Sequence, residues 1–190
     1  MTIVAIWCRH QDDNIIGIGP KIPWHIASDF QRFKRITQGG NILAGQTTYE
    51  SFPGRTLPNR KIYVLTFDQN YEVSDAENHF VITDVNALKD FDGTLYIAGG
   101  ASIYKLFMTR QDDLRPDVVV DCMYQGDIDA TLSGPKIDIT PAVEALGEAY
   151  TQISQNYIED NVLTRVYVKK NDFVDQSVVK HILNAIENKE

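Results

Sequence analysis

The sequence predicts a single α/β domain: a mainly parallel, twisted sheet flanked by helices, finished by a C-terminal antiparallel hairpin and followed by an extra C-terminal helix. Three observations carry this expectation. The chain has 190 residues, 43% of them hydrophobic and 23% charged, which suits one well-filled core rather than two. Strand-length apolar runs alternate with helical segments as far as Tyr124, a pattern that implies crossover helices and parallel neighbours. The last two strand-like runs are separated only by a polar turn, so they pair antiparallel. The expected division is 1–170 for the domain and 171–190 for an amphipathic helical extension.

Thr2 to Cys8 is an almost wholly apolar run, as a strand covered on both faces must be, with Trp7 its largest side chain. Arg9 to Asn14 is polar and reads as a surface excursion. Ile15 to Pro23 alternates aliphatics with Gly17, Gly19, Pro20 and Pro23, a turn-rich apolar loop that either packs on the core or covers a pocket. A helix is expected from near Ser28, where Ser28 and Gln31 have capping-box spacing. Its polar positions Gln31, Arg32, Lys34 and Arg35 mark a solvated face, and Ile26, Asp29, Phe30, Phe33 and Ile36 or Thr37 mark the buried stripe. Asp29 is the anomaly in that stripe. Either it complements the helix dipole in the first turn, or it is a poorly solvated carboxylate beside Trp24 that a cationic or hydrogen-bond-donating ligand would satisfy.

Gly39-Gly40 ends the helix, and Asn41 to Gly45 is a short buried strand. Gln46 to Phe52 is a short helix that Thr47 or Thr48 could cap, and free N–H groups at such a start attract phosphate. The loop Pro53 to Arg60 carries Arg55 and Arg60, which are either solvated or available to clamp an anionic ligand tail. Strands at Lys61 to Thr66, His79 to Thr83, Thr94 to Ala98 and Asp117 to Tyr124 alternate with helices at Asp84 to Phe91 and Ala101 to Met108. Gly99-Gly100 stands between a strand end and a helix start, which suits close approach of a pyrophosphate, although a tight strand-to-helix turn would look identical. A short helical piece at Ala142 to Leu146 precedes strands at Tyr150 to Gln155 and Leu163 to Lys169, joined by the turn Asn156 to Asn161. Asp172 to Lys189 places Val174, Val178, Ile182 and Ile186 every four residues, an apolar stripe for the domain or for a neighbouring chain.

Several function classes are disfavoured. A net charge of −8 argues against nucleic acid or an anionic membrane as partner. No apolar run reaches membrane-spanning length, and the N-terminus reads as a strand rather than a leader. Cys8 and Cys122 lie far apart without metal or redox spacing, and His10, His25, His79 and His181 are scattered, so a reducing cytoplasm and no metal are expected.

Read together, Ile15-Ile16-Gly17, Pro23-Trp24-His25 followed by Asp29, Phe33-Lys34, Gly45 with Thr48-Tyr49-Glu50-Ser51-Phe52-Pro53, Leu57-Pro58 with Arg60, and Ala98-Gly99-Gly100 with Ile103-Tyr104 resemble the dihydrofolate reductases, from Ile3 to about Lys169. The resemblance implies NADPH-dependent reduction of 7,8-dihydrofolate to tetrahydrofolate by hydride transfer from nicotinamide to the pterin. It implies that Asp29 accepts hydrogen bonds from the pterin amino group and ring N–H, with solvent carrying the proton, and that Trp24 and Ile22 shape a lid. It places Ile6, Trp7, Phe30, Phe33, Phe52, Leu57, Arg60, Ala98, Tyr104 and Asp121 on the substrate, with Arg60 on the glutamate carboxylate. On the cofactor it places Cys8, Ile16, Gly17, Ala44, Gly45, Gln46, Thr47, Thr48, Leu65, Thr66, Phe67, Gly99, Gly100, Ala101, Ser102, Ile103 and Tyr104.

Three departures from the family pattern matter. Gln46 and Thr47 stand where basic residues usually hold cofactor phosphates, and Phe67 and Asp68 stand where a polar or basic group greets the 2′-phosphate. Weakened NADPH discrimination is therefore expected, with NADH admitted, unless Arg35, Arg55 or Lys61 supplies the charge. Asp121 aligns with a threonine that in the family bonds both the catalytic carboxylate and the substrate, so either two carboxylates meet in a dry site or the register slips and Asp121 points outward. The C-terminal helix is additional, and leaves open a monomer or a homodimer built through it. The competing functions are a reductase of another pterin or of a ribosylaminopyrimidine, and a non-catalytic folate- or nucleotide-binding relative.

Overall fold

A computed structural model of the chain describes residues 1–187, and the expected end of the last helix at Lys189 lies outside them. In chain order the elements are β1 (Thr2–His10), β2 (Ile15–Ile18), α1 (Ala27–Thr37), β3 (Asn41–Gly45), α2 (Gln46–Ser51), β4 (Lys61–Leu65), β5 (His79–Ile82), β6 (Thr94–Ile97), α3 (Ala101–Met108), β7 (Val118–Tyr124), β8 (Lys136–Asp138), α4 (Thr140–Ala149), β9 (Tyr150–Gln152), β10 (Tyr157–Glu159), β11 (Val162–Lys169) and α5 (Gln176–Glu187). The main sheet runs β10-β11-β7-β1-β6-β3-β4-β5, with β9 also paired to β11. It is parallel from β7 to β5 and antiparallel at β11.

Both faces of this sheet are covered, which is why its central strands are apolar throughout rather than alternating. Val4 and Ile6 of β1, Ile42, Ile62, Val64, Tyr96, Val118, Val120 and Cys122 face the layer that holds α1, α2 and α5. Ile3, Ala5 and Trp7, with Leu43, Leu95, Ile97 and Val119, face the layer that holds α3 and α4.

Several expectations are corrected. Ile15–Ile18 is not a free loop but a strand paired with Lys136–Asp138, so the segment before the lid is anchored by backbone hydrogen bonds. Arg9 is buried rather than part of a surface excursion. Helix α1 begins at Ala27, its N-cap is Ile26, and no side chain caps it; Ser28 lies inside the helix, buried, so the capping-box reading fails. Gly45 rather than a threonine precedes α2, and it too lacks a side-chain cap. The segment after Asp84 is a 3-10 helix, Val85–Asp90, with the Asp84 side chain accepting from the Asn86 N–H. The expected polar turn at Asn156 to Asn161 contains β10; the reversal itself is confined to Asp160 and Asn161, both at positive φ, as tight hairpin turns require.

The apolar stripe of α5 is covered by the chain's own α1. Val178, Val179, Ile182, Ala185 and Ile186 are buried in the core cluster shared with Ile36. Arg35 Nε donates to the Ala185 carbonyl at 2.8 Å, and a ring nitrogen of His181 lies 2.9 Å from the Ile36 carbonyl. Ile182 is fully buried, so Ile182→Ala is expected to lower unfolding free energy by about 2–5 kcal/mol, read from the urea midpoint at unchanged m-value.

Candidate active site

Topology sets the place of the site. The connection from β1 to β3 crosses on the α1 face, whereas the connection from β6 to β7 crosses on the α3 face. Neighbouring strands β1 and β6 therefore send their following helices to opposite sides, which opens a crevice at their carboxyl ends. Ile6, Cys8, Ala98 and Gly99 stand there. The Tyr104 hydroxyl, wholly buried on α3, crosses beneath and donates to the Ile6 carbonyl at 2.5 Å. Burial pushes that phenol far above its ordinary pKa, so it stays protonated and keeps its donor.

On one side of the crevice lies Asp29, in the first turn of α1. Its pKa is raised, chiefly because burial penalises the ionised form, with Arg32 and a hydrogen bond from Cys8 opposing that rise. Cys8 and Cys122 are direct partners across β1 and β7 and lie on the Asp29 side of the sheet. Burial and the nearby Asp29 charge hold the Cys8 thiol well above its usual range, while burial pushes Cys122 up to about 12, so both are protonated donors. Trp24, Phe33, Phe52, Leu57 and Ala98 pack on the core there yet stay partly open, the disposition of a pocket wall. Trp24 stacks at a tilt on Tyr124, with centroids 4.9 Å apart, and Ile22 is half exposed beside it. Ile22, Trp24 and Tyr124 line a cleft of about 380 Å³ with Pro23, His25, Asp127, Ile128 and Asp129 at the mouth of the crevice.

On the other side, the ends of β3 and β6 are bound edge to edge, with the Gly45 N–H donating to the Gly99 carbonyl at 2.8 Å. A Cβ on Gly45 would meet Ile103 at 3.0 Å, and one on Gly100 would meet the Thr48 hydroxyl at 3.0 Å. Glycine at both keeps backbone accessible between the starts of α2 and α3, where N–H groups point out of the sheet. The Gly99–Gly100 peptide is cis. The Thr66 hydroxyl donates to Gln46 Oε1 at 2.7 Å, and Gln46 Nε2 donates to Glu50 at 3.1 Å. Ile16 packs against the same layer.

The dihydrofolate reductase family model matches residues 2–160. The chain belongs to that family. It is 28% identical over 124 residues to the dihydrofolate reductase of Staphylococcus aureus, covering 65% of this chain and 75% of that one. It is 37% identical over 112 residues to that of Neisseria meningitidis serogroup A, covering 59% of this chain and 68% of that one. The dihydrofolate reductase from Enterococcus faecalis, solved with NADP(H) and RAB-propyl, superposes with a TM-score of 0.69 at 22% identity, covering 90% and 97% of the two chains, and so shares the fold.

The structure makes four corrections to expectations from helix periodicity and from the dihydrofolate reductase pattern. Asp121 does not approach Asp29: it faces the opposite layer, where Arg9 grips it through Nε at 2.9 Å and Nη2 at 3.0 Å and the Trp7 indole donates at 2.6 Å. Cys122, one residue on, takes the place beside Asp29. Trp7 likewise packs edge-on to Tyr104 in the α3 layer, so its side chain is no substrate wall. Phe30 is not in the buried stripe but 43% exposed, against His25. Arg32, assigned to the solvated face, is 1% exposed.

Arg60 is held ready rather than free. Its guanidinium donates to the Thr37 hydroxyl and to the carbonyls of Pro58 and Lys34 at 2.6–2.9 Å, which fixes its plane at the rim beside Leu57. Arg35 is committed to Ala185, and Lys61 begins β4 at the end away from Thr66, so neither lies beside Gln46 and Thr66. Phe67 is 93% exposed.

Removing Asp121 leaves Arg9 buried without a counter-charge. Asp121→Ala is expected to cost about 3–5 kcal/mol of stability in denaturant unfolding while leaving folate affinity unchanged at temperatures where the variant is folded. A large loss of affinity would instead return Asp121 to the substrate pocket.

Proposed function

We propose that this chain reduces 7,8-dihydrofolate to 5,6,7,8-tetrahydrofolate with NADPH, binding the pterin against Asp29 and the dinucleotide across the Gly45 and Gly99 edge. The observation that carries the proposal is a partly desolvated carboxylate set directly across the β1 and β6 strand ends from a glycine-lined pair of helix starts. When bound, NADPH supplies the hydride.

The chain's own residues do the rest. Asp29 accepts from the pterin amino group and ring N–H, which orients the ring and favours its protonated form. Phe33, Phe52 and Leu57 hold the pterin and benzoyl rings, Phe30 and Trp24 shelter the entrance with Ile22, and Arg60 pairs with the glutamate carboxylate. The carbonyls of Ile6 and Ala98 mark where the two rings meet, the first held in place by Tyr104. Ala44, Gly45, Thr47, Thr48, Gly99, Gly100, Ala101, Ser102 and Ile103 take the phosphates and ribose, while Cys8, Ile16 and Gly17 border the nicotinamide and Leu65, Thr66 and Phe67 border the adenosine. With the stripe of α5 covered internally, a monomer suffices for this arrangement, and the extension 171–190 of the 1–170 domain supports α1 through α5. None of these interactions calls for nucleic acid or a membrane, and a cytoplasmic setting suits a substrate pair of this kind.

Two outcomes are expected. Asp29→Asn loses at least about 100-fold in kcat/KM for dihydrofolate, the size of two charge-assisted hydrogen bonds, in an assay that follows NADPH oxidation. Retained turnover would remove Asp29 from the reaction. Because Gln46 is neutral and bound to Thr66 and Glu50, NADH is expected to be oxidised at a useful rate, and Gln46→Arg to raise the NADPH-to-NADH ratio of kcat/KM about tenfold at low salt and less at high salt.

A further inference from the structure

Arg32 is the largest fully buried side chain among the described residues, and it lies one helical turn from Asp29. Its Nη1 is 3.3 Å from Asp29 Oδ1, and its Nη2 is 3.0 Å from Glu159 Oε2 on β10. The guanidinium carbon sits 5.9 Å from the centre of the Tyr157 ring, and Nε has no hydrogen-bond partner. One cation is thus shared by two carboxylates that differ in setting: Asp29 is 21% exposed toward the crevice, Glu159 39% exposed at the sheet edge.

We infer that Arg32 is a positioning residue for Asp29: it fixes the carboxylate's orientation and keeps it ionised for the pterin, and Glu159 sets how much of the cation Asp29 receives. This rests on the reading of Asp29 as the pterin-binding carboxylate. Besides Arg32, the titratable side chains that act on Asp29 or on its cation are Cys8 on β1, Tyr104 on α3, Cys122 on β7, and Tyr157 and Glu159 on β10. Both thiols are protonated and carry no charge, so Arg32 is the single cation acting against the burial of Asp29 among these groups. The contact to Asp29 is longer than that to Glu159, and it leaves acceptor capacity on Asp29 for a ligand.

The two carboxylates give the inference opposite signatures. The experiment measures the Kd of folate by tryptophan fluorescence quenching across the acid range, where binding weakens as Asp29 takes a proton. Arg32→Met is expected to move that midpoint up by about one pH unit or more, the size of losing an adjacent opposite charge, and Arg32→Lys to bring it back toward the native value. Glu159→Gln is expected to move the midpoint down, and to move it little in the Arg32→Met background. A folded Arg32→Met protein with weakened binding but an unmoved midpoint would overturn the inference, since a packing role alone predicts that. If Arg32→Met does not fold, Glu159→Gln decides the matter, and a midpoint that stays or rises overturns it. Folate binding by Asp29→Asn with native affinity and an unchanged acid limb would instead sink the underlying assignment of Asp29, whatever Arg32 does.

Discussion

The parallel register of β1 and β7 sets Trp7 opposite Asp121 and Cys8 opposite Cys122, and nearly every feature of the site depends on it. Side chains alternate across a strand, so this pairing sends the first couple into the α3 layer and the second toward α1. The buried carboxylate Asp121 is thereby taken out of the crevice and closed by Arg9 and Trp7. The crevice receives two neutral thiols instead, which can crowd Asp29 without repelling it. A slip of one residue would bring Asp121 into the crevice, placing two carboxylates face to face and leaving Arg9 without its counter-charge.

Arg9 and Arg32 are buried on opposite faces of the sheet, and the two are handled differently. Arg9 meets a single carboxylate in a two-pronged grip with a third donor from Trp7, a closed arrangement whose members have little capacity left. Arg32 is divided between Asp29 and Glu159, and its Nε is unmatched. Incomplete pairing of buried charge is unfavourable for the empty protein. It leaves Asp29 able to accept from a ligand.

Architecture was legible because apolar runs, glycine pairs and helix periodicity repeat along the chain. The β-α alternation and α3 at Ala101–Met108 follow from those patterns directly. What escaped reading was decided by tertiary contacts that periodicity does not encode. Ile15–Ile18 becomes a strand only because Lys136–Asp138, more than a hundred residues away, supplies its partner. Arg9 and Arg32 looked solvated because isolated arginines usually are. Yet Arg32 lies three residues after Asp29, a spacing that puts both on one helix face, and that was the available signal for a buried ion pair. The choice between Asp121 and Cys122 as the neighbour of Asp29 had no local signal, since a one-residue register shift leaves the sequence pattern of an all-apolar strand unchanged.

The raised pKa of Asp29 ties this electrostatic design to stability. A carboxyl group whose pKa is higher in the folded state than in the unfolded chain binds its proton more tightly when folded. Its favourable contribution is present below the unfolded pKa of about 4 and is lost as pH rises through the folded value. Near neutral pH the ionised side chain therefore weighs against the empty fold, and Arg32 reduces that burden without cancelling it. On the proposed assignment, a pterin that donates two hydrogen bonds to the same carboxylate supplies the missing solvation. Ligand binding and folding then reinforce one another at one group, so the strain concentrated at Asp29 is also the source of the site's affinity.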